Sequence, residues 1–307
     1  MHVQRILLTG ASGLLGNAVA RYFRSRVDIL PTAFRSTRAG LLKGDLADPA
    51  FQAVLAGEPW DAVVHCAALR SPDYCETHPD LAERLNAGVP VELARLARQR
   101  GARMIHVSTD YVFDGSHPPY RETDDCHPLN LYGHTKRRAE EGIAAEYPDA
   151  VIMRIGALYG VPEPDIASPM LEEAVQVVRA GAPAEVDHRI KRYPLFVEDV
   201  AKVVEFLLGL EAAAGIVHVG ASRGVTRYEW ALAVAAWLGS PSGHLRPSSR
   251  DGTRSAVRPT DVGMATDRLR SWGGPVPRDF QEILPDVLRR LCENKGDEKK
   301  LSERDGA

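Results

Sequence analysis

The chain has 307 residues, of which 44% are hydrophobic and 26% are charged, the composition of an ordinary globular protein. This length can bury one large core, or a core with a smaller second lobe. The formal net charge of -3 gives no support for nucleic-acid binding, and no apolar run approaches the roughly eighteen residues that a membrane span needs.

The cysteine and histidine patterns point away from disulfides and metals. The four cysteines have neither C-x-x-C spacing nor the density of a secreted disulfide framework, so we expect reduced thiols in a cytoplasmic protein. The ten histidines lack metal-ligand spacing, so no metal site is predicted. The first strand is expected to begin within three residues of the N-terminus, which leaves no room for a signal peptide.

Apolar residues 3–9 run into a glycine-rich turn that opens directly into a helical pattern. A first glycine lets the backbone turn, a second leaves room for a pyrophosphate, and a third lets the helix pack closely on the strand. The free N–H groups of such a helix face an anion. We therefore predict a dinucleotide site, although a turn without a ligand has the same local pattern. The G-x-x-G-x-x-G spacing after a threonine resembles the short-chain dehydrogenase/reductase superfamily. The predicted cofactor contacts here are Gly10, Ser12, Gly13, Leu14, Leu15 and Gly16.

Residues 28–34 are predicted to form a second strand, and the loop after it discriminates between cofactors. A site that prefers NAD usually places a carboxylate there for the ribose 2′-hydroxyl, whereas arginine accommodates the 2′-phosphate of NADP. The loop carries Arg35, Ser36 and Arg38 and no acid, which favours NADP(H), with NAD(H) still possible. The alternative is a solvated basic loop. Further along, Asp45-Leu46 resembles the pair that lies against the adenine in the superfamily.

Residues 60–68 form a continuous apolar run, typical of a strand buried on both faces of a parallel sheet. The run ends in Ala67 and Ala68, whose small side chains suit a passing cofactor. Residues 81–100 have the spacing of an amphipathic helix. Within it, Asn86 is either a surface polar residue or the asparagine that many relatives carry there. Strands that alternate with helices predict an α/β fold with a doubly wound parallel Rossmann sheet, which binds ligands at the carboxyl ends of its strands.

A second group of polar residues follows the next predicted strand, residues 104–107. Thr109 stands at its carboxyl end, and Tyr132 and Lys136 lie four residues apart at the start of a predicted helix, so both project from one face. An ammonium near a tyrosine lowers its pKa, and this lysine can also hold the nicotinamide ribose. Thr109 can hydrogen-bond a substrate carbonyl oxygen on which negative charge develops. About half a Y-x-x-x-K match is expected by chance in a chain of this composition. The motif is informative because it follows a predicted strand that ends in Ser-Thr and lies downstream of the glycine-rich turn. For Asp110, a substrate contact and an anchor for its own loop both remain open.

Residues 108–115 read STDYVFDG, and PYRE at 119–122 and PLNLYG at 128–133 follow. These motifs resemble the dTDP-4-dehydrorhamnose reductase family, an extended branch of the superfamily, over nearly the whole chain. The family also includes the regulatory beta subunit of methionine adenosyltransferase, and Arg70-Ser71-Pro72-Asp73 looks closer to that subunit. The resemblance implies a catalytic set of Thr109, Tyr132 and Lys136, and cofactor contacts at Gly10, Gly13, Gly16, Arg35, Asp45 and Ala67.

The pattern changes past residue 160. We predict an NAD(P)-binding Rossmann domain over residues 1–160 and mainly a substrate-binding lobe over residues 161–292. Within that second range, the resemblance implies that residues 196–211 return to the first domain. Residues 293–307 are polar, charged and without periodicity, so a disordered tail is expected.

Basic residues of the second part could clamp the phosphates of a nucleotide sugar, because guanidinium and phosphate pair well. The alternative is a solvated basic rim. The candidates are Arg189, Lys191, Arg192, Arg246 and Arg258. We take Asp110, Arg192 and Arg258 as the predicted substrate contacts.

Two functions fit these motifs. In the first, NADPH delivers a hydride to the keto carbon of a nucleotide-linked 4-keto-6-deoxy sugar, and Tyr132 protonates the developing alkoxide. In the second, the fold binds NADP(H) and docks, without turnover, on a methionine adenosyltransferase-type partner. A docking tail should carry apolar anchors, and residues 293–307 hold only Leu301. A homodimer is also possible.

Overall fold

The computed structural model describes residues 3–36, 38–161, 163, 166, 168–249 and 255–294. Residues 295–307, which make up most of the predicted tail, lie outside the described residues. Seven of the described strands form one parallel sheet with helices on both faces, which confirms the predicted α/β Rossmann fold class.

The order of strands in the main sheet reverses between β1 and β4, next to the glycine-rich turn that follows β1. Its strand order is β10-β6-β5-β4-β1-β2-β3, with parallel pairing throughout. The chain builds outward in one direction from β1 and in the other from β4, and doubly wound sheets bind ligands where the order reverses. The described strands are β1 (Arg5–Thr9), β2 (Asp28–Ala33), β3 (Leu42–Lys43), β4 (Ala62–His65), β5 (Arg103–Thr109), β6 (Val151–Ile155), β7 (Leu158–Tyr159), β8 (Ala184–Asp187), β9 (Leu195–Phe196), β10 (Gly215–Val219) and β11 (Leu245–Ser248).

The predicted helix over residues 81–100 is interrupted in the structure. A π-helical turn, Glu83–Gly88, separates two α-helical parts, and π-turns are often found at functional sites. A short 3₁₀ turn, Asp110–Val112, follows β5. The described α-helices are α1 (Leu14–Phe23), α2 (Pro49–Gly57), α3 (Pro72–Thr77), α4 (Pro79–Ala82), α5 (Val89–Arg100), α6 (Leu131–Glu146), α7 (Pro169–Ala180), α8 (Val197–Gly209), α9 (Arg227–Leu238), α10 (Asp267–Ser271) and α11 (Phe280–Asn294).

Local chemistry explains where several of these helices begin and end. Asn130 accepts a hydrogen bond from the N–H of Gly133, which satisfies one free donor at the start of α6. Thr226 and Glu229 exchange side-chain and backbone bonds in a capping box that begins α9. Gly101 adopts the left-handed conformation, with φ 65°, and so ends α5.

The two faces of the main sheet are covered by different helices, because alternate strand residues point to opposite sides. In β1, Ile6 and Leu8 pack in a core that also holds Val19 of α1 and Val204 of α8. Leu7, between them, packs on the other face with residues of α2, α5 and α6. All three β1 residues are fully buried, which is why this strand reads as a continuous apolar run.

The second part of the chain has its own core around Trp230, which packs against Tyr159 and Phe280. Its described strands form two small parallel pairs, β8 with β11 and β7 with β9. Helix α8 packs on the main sheet, where residues 196–211 were expected to return. Strand β10, which follows these residues in the chain, also belongs to the main sheet. It pairs with β6, and its Val217 and Val219 are buried against the same core as α8. None of the helices in the described ranges is long and apolar enough to cross a membrane.

Candidate functional site

A cavity of about 870 Å³ opens at the carboxyl ends of β1, β2, β4, β5 and β6. It lies across the reversal point of the sheet, between β1 and β4, and has the size of a ligand site. Most of the residues predicted for cofactor and substrate meet there. The predicted residues that line it are Gly10, Ser12, Gly13, Leu14, Leu15, Gly16, Arg35, Ser36, Asp45, Leu46, Ala67, Ala68, Thr109, Asp110, Tyr132 and Arg192. The predicted residues Arg38, Lys136 and Arg258 are not part of this lining.

The glycine-rich turn brings backbone N–H groups to one end of the cavity. Gly10 has φ +69°, and a side chain there would place its Cβ 2.7 Å from the backbone nitrogen of Ala67. A Cβ at Gly16 would overlap the carbonyl oxygen of Gly10. Gly13 is the N-cap residue directly before α1, and no side chain caps the helix at this end. The first N–H groups of α1 therefore stay available to an anion in the cavity, as a pyrophosphate requires.

The two arginines of the loop after β2 have different surroundings. The Arg35 guanidinium lies 5.4 Å from the centre of the Phe34 ring, and both residues line the cavity. Arg38 instead donates a hydrogen bond from Nη2 to Oδ1 of Asn17, 2.9 Å away. The structure therefore leaves Arg35 beside the cavity and gives Arg38 a partner on α1. Across the cavity, Arg84 also contributes to the lining, a position that no pattern in the sequence had marked.

Thr109 and Tyr132 come together because α6 begins close to the turn after β5. A Cβ at Gly133 would overlap the carbonyl oxygen of Tyr111, so only glycine allows this approach. The Tyr132 ring lies edge-on to the Tyr111 ring, with 5.8 Å between their centres. Thr109 Oγ1 accepts from the N–H of Tyr111 and donates to Oδ1 of Asp110, each at 3.2 Å.

Burial sets the charge states of the polar groups at this end of the cavity. Burial raises the pKa of Tyr132 above its ordinary value, and the Thr109 hydroxyl only partly offsets this effect. The expected lowering of the Tyr132 pKa by Lys136 is therefore not found. Burial also raises the pKa of Asp110 to about 6, although Arg192 and the Thr109 hydroxyl act in the opposite direction. Tyr132 is thus a protonated donor at neutral pH, while Asp110 titrates near neutrality.

Lys136 lies beneath the cavity floor and is only 1% exposed. Its Nζ donates to the carbonyl oxygen of Val107 at 2.7 Å and contacts Nε2 of His106 at 2.9 Å. Burial lowers the pKa of the amine to about 7, and the nearby Glu140 carboxylate opposes that change. A lysine with this pKa is only partly charged at neutral pH, and this weakens its influence on Tyr132.

The two arginines predicted to contact substrate have different surroundings. Arg192 lines the cavity and donates to the Tyr111 hydroxyl at 3.0 Å. Arg258 pairs with both carboxylate oxygens of Asp73, at 2.6 and 3.0 Å, and ties the loop that contains it to α3. The structure therefore leaves Arg192 as the substrate candidate and makes Arg258 a loop contact. Of the other basic candidates, Lys191 pairs with Asp261 at 3.1 Å.

Asn86 is fully buried, which excludes the surface reading of this residue. Its side chain accepts from the N–H of Leu69 at 2.7 Å and donates to the carbonyl oxygen of the same residue at 3.1 Å. It also reaches the Thr135 hydroxyl, 3.3 Å away, on the residue before Lys136. Asn86 thus ties the chain after β4 to α6. Within the described part of the chain, no group of three or more His, Cys, Asp or Glu side chains is arranged to hold a metal.

Comparison with known families agrees with this geometry. A family profile described as the RmlD substrate binding domain matches residues 4–293. The chain belongs to this family. The predicted resemblance to the dTDP-4-dehydrorhamnose reductases and to the methionine adenosyltransferase beta subunit is confirmed.

Relatives of both kinds occur among the matches. The chain is 37% identical over 278 residues to methionine adenosyltransferase 2 subunit beta of Bos taurus, an alignment that covers 88% of this chain and 83% of that protein. A crystal structure of a dTDP-4-dehydrorhamnose reductase from Clostridium acetobutylicum superposes with a TM-score of 0.84 and 27% identity, covering 94% of this chain and 99% of that chain. A dTDP-4-dehydrorhamnose reductase from Bacillus anthracis, solved in complex with NADP, has the same fold, with a TM-score of 0.83, 24% identity and the same two coverages.

Proposed function

We propose that the protein is an NADP(H)-dependent reductase of a nucleotide-linked 4-keto-6-deoxy sugar. The observation that carries the proposal is a single cavity that joins an uncapped, glycine-lined helix start to the side chains of Thr109 and Tyr132. Membership of the RmlD family supports the reaction class, and the NADP complex of a structure with the same fold supports the cofactor class.

The glycine turn and the start of α1 would hold the pyrophosphate of the dinucleotide, and Ala67 and Ala68 leave room for it to pass. Bound NADPH would supply the hydride. Thr109 would turn its one O–H from Asp110 to the substrate carbonyl oxygen and so orient it, and the Tyr132 hydroxyl would donate the proton that the developing alkoxide needs. The Tyr132 pKa lies above its ordinary value near 10, so this hydroxyl is protonated at neutral pH, as reduction requires.

The preference for NADPH over NADH rests on Arg35. Its guanidinium lines the cavity, has no carboxylate partner among the described residues, and matches the geometry of a 2′-phosphate. On the substrate side, Arg192 and Asp110 line the cavity next to Tyr111. We propose that Arg192 contacts a phosphate of the nucleotide and that Asp110 accepts a hydroxyl of the sugar.

The second candidate function is a non-catalytic, NADP-binding regulatory subunit that docks on a methionine adenosyltransferase-type partner. The 37% identity to the bovine beta subunit favours it, because the compared reductase of known structure is only 27% identical. The homodimer and the cytoplasmic location stay predictions.

One pair of assays separates the two functions. Purified protein is given NADPH and dTDP-4-keto-6-deoxy sugars, and NADPH oxidation is followed by absorbance. The same protein is then added to a methionine adenosyltransferase, and the kinetics of that enzyme are measured. Turnover of a sugar nucleotide supports the reductase. Tight NADPH binding without turnover, together with altered synthetase kinetics, rejects the reductase and supports the regulatory subunit.

A further inference from the structure

A cluster of buried polar side chains lies beneath the cavity, and the proposed reaction steps do not use all of it. The cluster consists of His65, His106, Lys136 and Thr9. None of the four is more than 1% exposed. The imidazoles of His65 and His106 stack with 5.3 Å between ring centres and 20° between ring planes. His65 is linked through Nδ1 to Oγ1 of Thr9, 2.7 Å away.

His106 provides one of two acceptors for the amine of Lys136. An ammonium has three N–H groups in a tetrahedral arrangement. The carbonyl oxygen of Val107 takes one at 2.7 Å, and Nε2 of His106 lies 2.9 Å from Nζ in position to take another. Val107 lines the cavity, so the amine that bonds its carbonyl lies close to the lining. Its third N–H has no hydrogen-bond partner among the described residues and is left for a ligand.

The protonation state of His106 suits an acceptor. Burial holds its pKa well below the ordinary value, and the charges of Lys136 and His65 act in the same direction. The imidazole is therefore neutral, and when Nε2 accepts from Lys136 its single proton lies on Nδ1. Nδ1 has no hydrogen-bond partner within the described part of the chain, so no competing contact determines the tautomer.

The other titratable groups around the amine are Glu140, one turn further along α6, and Cys66, directly after β4. The Glu140 carboxylate raises the pKa of Lys136, against the larger effect of burial. Burial itself raises the pKa of Cys66 to about 12, so this thiol is neutral and contributes no charge at neutral pH. His106 is therefore the closest side chain that can stabilise the ammonium form directly.

We propose that His106 is a positioning residue, whose Nε2 atom and the neighbouring Val107 carbonyl hold the Lys136 ammonium beneath the cavity with one N–H directed to the bound dinucleotide. This inference rests on the proposed function, because it assigns the lysine to cofactor binding. Without the acceptor, the amine loses one of its two bonds, and burial then favours the neutral form.

The test compares three variants at buried histidines. H106L removes the acceptor, H106Q restores an acceptor oxygen at a similar distance, and H65L removes an equally buried imidazole that does not touch Nζ. The pKa of the Lys136 amine is measured by NMR on protein labelled with ¹³C-lysine, with K136M used to assign the signal. We expect H106L to lower that pKa by about one to two pH units, the size of one lost bond to a charged group. H106Q should recover most of this change, and H65L should leave the pKa near that of the wild type.

NADPH affinity measured against pH gives a second readout. With the amine pKa lowered that far, H106L should bind NADPH about five- to fiftyfold more weakly at pH 7, but within about twofold of the wild type at pH 5, where the ammonium returns. An equal loss at both pH values would mean a merely structural role and would overturn the proposal.

If H106L does not fold, the wild-type protein alone still tests whether Nε2 of His106 accepts a hydrogen bond from Lys136. The ¹⁵N shifts of His106 should show a proton on Nδ1 and none on Nε2, and a proton on Nε2 would refute the assignment. If the Lys136 pKa follows the expected order of variants while the wild type binds no NADPH, the contact between His106 and Lys136 stands. The cofactor proposal then fails instead.

Discussion

A buried ion pair joins Glu140 of α6 to Arg154 of β6, and we expect it to contribute strongly to the stability of the fold. Both side chains are 1% exposed. The Glu140 carboxylate accepts from Nε and Nη2 of Arg154 at 3.0 and 2.7 Å, and from the Ser108 hydroxyl at 2.5 Å. E140Q keeps the size of the side chain but removes its charge, so Arg154 stays buried without its counter-ion. We expect the free energy of unfolding to fall by about 3 kcal/mol, the lower end for breaking a buried pair, because the amide oxygen still accepts one bond.

E141Q is the matched control, since it makes the same chemical change at the next residue of the same helix. Glu141 is 56% exposed and pairs with Arg137 at 2.9 Å. An exposed pair of this kind contributes about 0.3–0.5 kcal/mol. Urea denaturation followed by circular dichroism measures both variants against the wild type, with the slope m checked for equality. Equal losses for E140Q and E141Q would refute the argument that burial makes the Glu140 pair essential.

Three further predictions concern the cavity. Y132F removes only the proposed proton donor, so NADPH oxidation with a 4-keto sugar nucleotide should fall about 10²–10⁴-fold while NADPH binding persists, and an unchanged rate would move the role to Asp110. R35A should weaken NADPH binding and leave NADH binding unchanged, whereas R38A should not alter the ratio of the two affinities, since Arg38 bonds Asn17; calorimetric titration with both cofactors checks this. Asp110 has its pKa raised on folding, from 3.8 to about 6, so the folded state binds the extra proton between these values and stability is lost as the pH rises through about 6. D110N should therefore gain stability relative to the wild type between pH 4 and pH 7, by on the order of 2–3 kcal/mol in urea denaturation, and equal differences at both pH values would contradict the assigned cause.

The parts of the site that could be predicted from sequence are those set by local backbone chemistry. A glycine-rich turn between an apolar run and a helix needs only neighbouring residues, and the structure places this turn at the cavity with Gly10 in its left-handed conformation. Strand and helix periodicity led to the fold class for the same reason. Thr109 could be placed at a strand end and Tyr132 at a helix start, and both line one cavity.

The parts that could not be predicted depend on which distant residues meet. Asp73 and Arg258 are 185 positions apart, so only the folded chain reveals that this arginine is already paired. Similarly, no local pattern in the β10 sequence indicates that this strand pairs with β6 in the main sheet.

The sequence by itself therefore determined the fold class and the glycine-rich turn, because these depend on short-range spacing and periodic burial, while the family followed from the resemblance of its motifs. Tertiary structure alone decided the charges at the site. Burial raises the pKa of Tyr132 and lowers that of Lys136 to about 7. The packing of the chain also places His106 in contact with the Lys136 amine. A pKa depends on the solvent and the charges within a few ångströms of a group, and those surroundings exist only once β4, β5 and α6 have packed together.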